Sequence, residues 1–226
     1  MTIGWLARWY RWIEYLAFGK ALERRRFAFL PRLASAHRIL VLGEGDGRTL
    51  ARLLQLAPLA RVDVMEISPE MIALAKQRTG DYSDRVAFRR GDAGTASWAT
   101  GHYDAIITNF FLDCFTTEEL RDLVPRLASA LRPEGLWLNS EFAIPSSGWR
   151  RLHAQLWIST MYRFFNVATA LRATKLPPIE RVMRENGMVC IERQAARAGL
   201  MVSEVWSHAS GQSTHPPTCD VRQTLP

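Results

Sequence analysis

A chain of 226 residues has room for one α/β domain with a full core, but not for a second large one. Its 48% hydrophobic content is that of a globular protein, and no run of about 18 apolar residues is present to span a bilayer. The net charge of +7 admits acidic partners, yet no compact basic cluster interleaved with aromatics accompanies it, which argues against nucleic acid.

At the amino terminus Trp5, Trp9, Trp12 and Leu16 fall on one helix face, and Gly19 breaks the helix. Residues 22–36 continue as a second helix with Arg24, Arg25 and Arg26 on its polar side. Together residues 1–37 read as cap helices. They can pack on the core, cover a ligand or rest on a membrane surface. Arg8 and Arg11 interrupt the apolar run and no small-residue cleavage site follows, so no signal peptide is expected.

Residues 38–66 organise the rest of the chain. Ile39 to Leu42 are a short apolar run, as in a parallel strand covered on both faces. Gly43, Glu44, Gly45, Asp46 and Gly47 follow. Leu50, Leu53, Leu54 and Ala57 then recur at helical spacing, and Pro58 stops the helix. Val62, Val64 and Met65 form the next strand, and Glu66 closes it. A carboxylate about 20 positions past a glycine turn can reach ribose hydroxyls, so this unit binds a nucleoside. The dinucleotide fingerprint GxGxxG needs a third glycine where Arg48 stands; the glycines here run GxGxG. Spacing alone leaves a dinucleotide and S-adenosylmethionine both open.

Beyond Glu66, Ser68 is an N-cap, Pro69 and Glu70 open a helix, and Met71, Leu74 and Ala75 supply its apolar face. Residues 85–90 read as a third strand, followed by Gly91, Asp92 and Ala93, where a carboxylate can reach an adenine amino group. Residues 103–108 are a fourth strand, with Asn109, Phe110, Phe111, Leu112 and Asp113 just past it. A helix over 118–131 and a fifth strand over 135–142 follow. Strictly alternating strands and helices demand a parallel sheet. Residues 145–176 break the pattern with apolar residues spread among arginines, as in a lid inserted over a substrate. A short helix ending at Asn186 and two closing strands, 188–193 and 200–206, complete a seven-stranded sheet whose last strands form an antiparallel hairpin. Residues 208–226 are polar and aperiodic, and are expected to be a disordered tail.

Cys114, Cys190 and Cys219 are odd in number and far apart, with no CxxC and no metal-ligand spacing. The expectation is no metal site and a reducing, cytoplasmic compartment, with peripheral contact at the inner membrane face left open.

VLGEGDG, the strand ending VMEIS, the RRGDA turn and LRPEGLWLNSEF, in this order, resemble the class I S-adenosylmethionine-dependent methyltransferases. The resemblance implies a Rossmann-like, doubly wound α/β sheet with helices on both faces, spanning residues 38–207. It implies S-adenosyl-L-methionine as cofactor. Gly43, Glu44, Gly45 and Gly47 would contact its methionine part, Glu66 and Ile67 its ribose end, and Asp92 and Ala93 its adenine end, with Met71 a further cofactor-binding residue. Asn109 and Phe110 would line the space under the sulfonium. One departure is Val41, where the family often has an acid. The segment WYRWIEYLAFG is similar to one in the ubiquinone and menaquinone methyltransferases whose tyrosine closes over the cofactor; Tyr10 is the match.

Methyl transfer needs a base only where the acceptor must lose a proton. Asp113 and His153 are the candidates, with Glu141 and Tyr162 behind them. The apolar residues of the 149–171 segment point to a small apolar or aromatic acceptor. The chain is expected as a monomer or homodimer. A fold of this kind that binds cofactor but serves only as a catalytically silent partner subunit is the alternative.

Overall fold

The computed structural model describes residues 20–144, 176–196, 199–209 and 221–223. The sheet is built outward from β1 (Arg38–Leu42), which pairs in parallel with β2 (Arg61–Glu66) on one side and β4 (Tyr103–Asn109) on the other. Next to β2 lies β3 (Val86–Arg90), and next to β4 lies β5 (Leu131–Phe142), both parallel. Then β7 (Met201–His208) inserts antiparallel between β5 and β6 (Met188–Ala196). The order is β3-β2-β1-β4-β5-β7-β6, the doubly wound, mostly parallel sheet expected from the alternation, with an antiparallel last strand.

An eighth strand, β8 (Val221–Gln223), lies parallel to the outer edge of β6. These three residues fall in the tail expected to be disordered, and at this point the expectation is corrected. An open strand edge presents unpaired N–H and C=O groups to any extended segment within reach, so pairing there needs no hydrophobic period.

Alternation along each strand fills two cores. Ile39, Val41, Val62, Val64, Ala105, Ile107 and Leu138 face α2 (Arg48–Leu56), through Leu50, Leu53 and Leu54, and the turn carrying Leu30 and Leu33. That turn follows α1 (Lys20–Phe27). Leu40, Leu42, Ile106, Trp137 and Trp206 face the other way. They meet α4 (Thr117–Ala130), through Leu120, Leu123, Val124 and Leu127, and α5 (Ile179–Glu185), through Val182 and Met183. The start of α4 is set by a capping box between Thr116 and Glu119. On the β2 flank, α3 (Pro69–Arg78) begins at Ser68, whose hydroxyl accepts from the Met71 N–H at 3.2 Å, as the sequence implied.

Cys114 is a free thiol, whereas Cys190 is disulfide-bonded. Cysteine spacing suggested no pairing, because separation along the chain does not measure distance across a sheet. Among the described residues no helix is long and apolar enough to cross a membrane, and no cluster of potential metal ligands occurs.

Candidate active site

Strand order reverses between β1 and β4, and in open α/β sheets the ligand crevice lies at that point, outside the carboxyl ends of the strands. Gly43, Gly45 and Gly47 leave β1 there with φ of 64°, 68° and 85°, a backbone region that side chains disfavour. Each serves a different purpose. A Cβ on Gly43 would stand 2.4 Å from the Phe111 ring, and one on Gly47 would stand 2.6 Å from the Ala75 Cα. A Cβ on Gly45 would meet nothing within 4 Å, so this glycine borders open space.

Glu66 ties the second strand to that loop. Its Oε2 accepts from the Gly45 N–H at 3.2 Å, and its Oε1 accepts from the Ile67 and Ser68 N–H groups, each at 3.0 Å. A carboxylate has about four acceptor sites, so capacity remains for a ligand hydroxyl. Ile67 is 64% exposed beside it, a large apolar side chain left in the open. Ile67 and Asp92 line a cavity of about 340 Å³ together with Gly94, Thr95, Cys114 and Phe115. The Asp92 carboxylate accepts from the Gly94 N–H at 2.8 Å, which shapes the turn after β3, and Ala93 is buried.

Glu44 is turned inward. Its Oε1 accepts from the Leu50 N–H at 2.8 Å and so caps the first turn of α2. Burial pushes its carboxyl up to about 8, against the smaller opposing effect of that hydrogen bond. The side chain expected at the cofactor therefore supports the loop from behind.

Past β4 the chain takes a left-handed step at Phe110, φ 53°. The Phe110 N–H donates to the Ser140 carbonyl at 2.7 Å, and its ring packs on Phe142 with centroids 5.0 Å apart. Phe111 is thereby sent toward Gly43. It is a residue that sequence reasoning passed over, because the left-handed step before it sets the direction of its ring. Glu141, from the end of β5, holds this loop: its Oε1 accepts from the Phe111 and Leu112 N–H groups at 3.2 and 2.9 Å. Asp113 follows in the same turn, and both carboxyls are buried. Burial raises the affinity of both for a proton, and for Glu141 the Asp113 charge adds to it. Two such groups in contact share a proton rather than ionise together.

A larger cavity, about 610 Å³, opens beside Glu141 at the ends of β5 and β7. Phe142, Ile144, Leu176, Ile179 and Val202 give it apolar walls; Asn139, Glu141, Arg193 and Glu204 give it polar ones.

Residues 39–135 match the family model described as a methyltransferase domain. A demethylmenaquinone methyltransferase of Thermus thermophilus is 31% identical over 134 residues, 59% of this chain and 60% of that protein. A malonyl-[acyl-carrier protein] O-methyltransferase of Bacillus cytotoxicus is 37% identical over 135 residues, 57% of this chain and 45% of that protein. The chain thus spans about half the length of these curated relatives. Among solved structures, the 1,6-didemethyltoxoflavin-N1-methyltransferase of Burkholderia thailandensis shares the fold with TM-score 0.62 at 18% identity. The match covers 86% of this chain and 81% of that one; that structure holds 1,6-didemethyltoxoflavin and S-adenosylhomocysteine.

S-adenosyl-L-methionine is the cofactor of such a methyltransferase domain, and the crevice fits it on this structure's own terms. Gly45 borders open space, Glu66 stands beside it, and Ile67 offers an exposed apolar surface. The switch point brings together Gly43, Gly45, Gly47, Glu66, Ile67, Asn109 and Phe110, with Asp92 and Ala93 at the β3 end. Met71 sits one turn into α3 with its backbone on the Ser68 cap. Tyr10, His153 and the 149–171 segment lie outside the described residues.

Proposed function

We propose that this chain transfers the methyl group of S-adenosylmethionine to a small molecule with an apolar or aromatic body and a polar handle. One observation carries the reading: three left-handed glycines at the switch point, the middle one open to space and held through its N–H by Glu66. The glycine loop takes the amino-acid end of the cofactor, Glu66 the ribose, and Ile67, Met71, Asp92 and Ala93 the adenine side. Asn109 and Phe110 border the reacting centre.

Bound there, S-adenosylmethionine supplies an activated methyl group on its sulfonium. The chain's own task is to hold the acceptor in line and dry. Asp113, with Glu141 behind it, receives a proton where the acceptor has one to lose. His153 and Tyr10 stay in the proposal on sequence grounds. The mixed walls of the 610 Å³ cavity support an acceptor that is not purely apolar. No observation favours a catalytically silent partner subunit.

Calorimetry with S-adenosylhomocysteine and with NAD tests the cofactor, and transfer of isotope-labelled methyl from S-adenosylmethionine to small phenols and amines tests the activity. The homocysteine nucleoside should bind and NAD should not. Tighter binding of NAD would overturn the reading.

A further inference from the structure

The turn after β3 is held from two sides. Asp92 gathers its N–H groups: the carboxylate accepts from Gly94 at 2.8 Å, and the Asp92 carbonyl accepts from the Thr95 and Ala96 N–H groups, each at 3.2 Å. The carbonyls of the turn go to helix α4. Arg126 donates from Nη2 to the Gly94 carbonyl at 2.6 Å and from Nη1 to the Ala96 carbonyl. Its Nε donates to the Asp122 carbonyl, one turn earlier in its own helix, at 2.9 Å. A guanidinium presents its donors in a rigid planar fork. Three carbonyls on one guanidinium therefore fix how the turn sits against the helix.

Both ends of this clamp belong to the wall of the 340 Å³ cavity: Asp92, Gly94 and Thr95 on the turn, Glu119 and Asp122 on the helix. Arg126 is not among the described residues that line it. Glu119 is engaged by the Thr116 N–H at 2.9 Å. The Gly94 N–H takes one of about four acceptor sites on the Asp92 carboxylate, which leaves capacity for a ligand. A hydrogen bond weakens steeply with misalignment, so Asp92 can serve a ligand only while the turn keeps its aim. Ordering a loose loop costs conformational entropy, and a clamp made in advance removes that cost from binding.

We infer that Arg126 is a positioning residue for base recognition: it holds the turn after β3 in the form in which Asp92 reads the adenine amino group of the cofactor. This deepens the proposed function and rests on it. Arg126 acts through the turn and does not touch the nucleoside. Arg85 supplies a matched contrast. It too clamps carbonyls, those of Leu54, Ala57 and Pro58 at 2.9–3.1 Å around the end of α2, and none of these residues is among those described as lining the cavity.

Two nucleosides separate this role from a structural one. S-adenosylhomocysteine and the same compound with hydrogen in place of the adenine amino group differ only in the group that Asp92 would read. Calorimetry on the full chain should show wild type preferring S-adenosylhomocysteine about ten- to a hundredfold, roughly the scale of a hydrogen bond to a charged group. Arg126→Met should cut that preference about tenfold by weakening S-adenosylhomocysteine, with the amino-free compound held within about twofold of wild type. Arg126→Lys, which keeps the charge but reaches fewer carbonyls, should give an intermediate ratio and serves if the methionine variant does not fold. Arg85→Met should lower the melting temperature and leave the ratio unchanged. No preference in wild type, equal weakening of both compounds or of neither in the folded Arg126 variant, or the same loss of preference in Arg85→Met would overturn the inference. S-adenosylhomocysteine would still bind, so the methyltransferase reading would stand. If the wild-type chain does not bind S-adenosylhomocysteine, that reading falls and the inference falls with it.

Discussion

Gly47 faces the backbone of Ala75 so closely that a Cβ at position 47 would stand 2.6 Å from the Ala75 Cα. The third glycine of the GxGxG run is thus the one that lets α2 start against α3. This is why Arg48 can occupy the next position, where the dinucleotide pattern places its packing glycine. Gly47→Ala should cost about 1–2 kcal/mol for left-handed backbone and about 1–3 kcal/mol for overpacking. Gly45→Ala bears only the backbone cost, since its Cβ meets nothing within 4 Å. Thermal unfolding of the two variants checks this; equal losses would mean that the Ala75 contact is relieved by a small shift.

Glu66 already serves three backbone N–H groups, and a ribose would use its remaining acceptor capacity. Glu66→Gln keeps the shape and removes charge and one acceptor. It should weaken S-adenosylhomocysteine binding by about 1–3 kcal/mol. Calorimetry measures it, and an unchanged affinity would show that the ribose is held elsewhere.

Glu44 predicts a pH dependence of stability. Burial raises its carboxyl from 4.5 to about 8, so the folded chain binds this proton more tightly than the unfolded one. Its contribution is full below the unfolded value and is lost as pH rises through the folded one. Glu44→Gln cannot lose a proton and retains an acceptor for the Leu50 N–H. Denaturant melts across that window should show wild type losing more stability than the variant, on the order of a few kcal/mol at about 1.4 kcal/mol per unit. Parallel curves would place Glu44 in a wetter setting.

Asp113 and Glu141 titrate as a pair. Asp113→Asn removes the proton acceptor and leaves an amide that can donate to Glu141. Methyl transfer to an acceptor that must lose a proton should fall about 10²–10⁴-fold, with S-adenosylhomocysteine affinity little changed. Retained turnover would remove Asp113 from the chemistry.

Much of this protein is written in local chemistry. The apolar run from Ile39 to Leu42 is buried on both faces as a parallel strand must be, and helix spacing placed Leu50, Leu53 and Leu54 in the core. Ser68 caps its helix, and Glu66 stands one strand away from the glycines, as spacing implied. These features depend on residues near one another in the chain, so period and turn chemistry reveal them.

What remained hidden depends on direction and distance. Phe111 rather than Phe110 meets Gly43 because one left-handed residue turns the chain after β4. Glu44 caps α2 because its side chain folds back six residues along the sequence. Glu141 meets the loop before Asp113 across 29 and 30 positions, β7 slots between β5 and β6, and Arg25 lies buried against strands 115 and 178 residues away. The sequence by itself determined the class of fold and the nucleoside crevice, since both follow from local period and turn. Only the tertiary structure decided which carboxyls are buried and what they hold, since burial and pairing are properties of the assembled sheet and not of any segment.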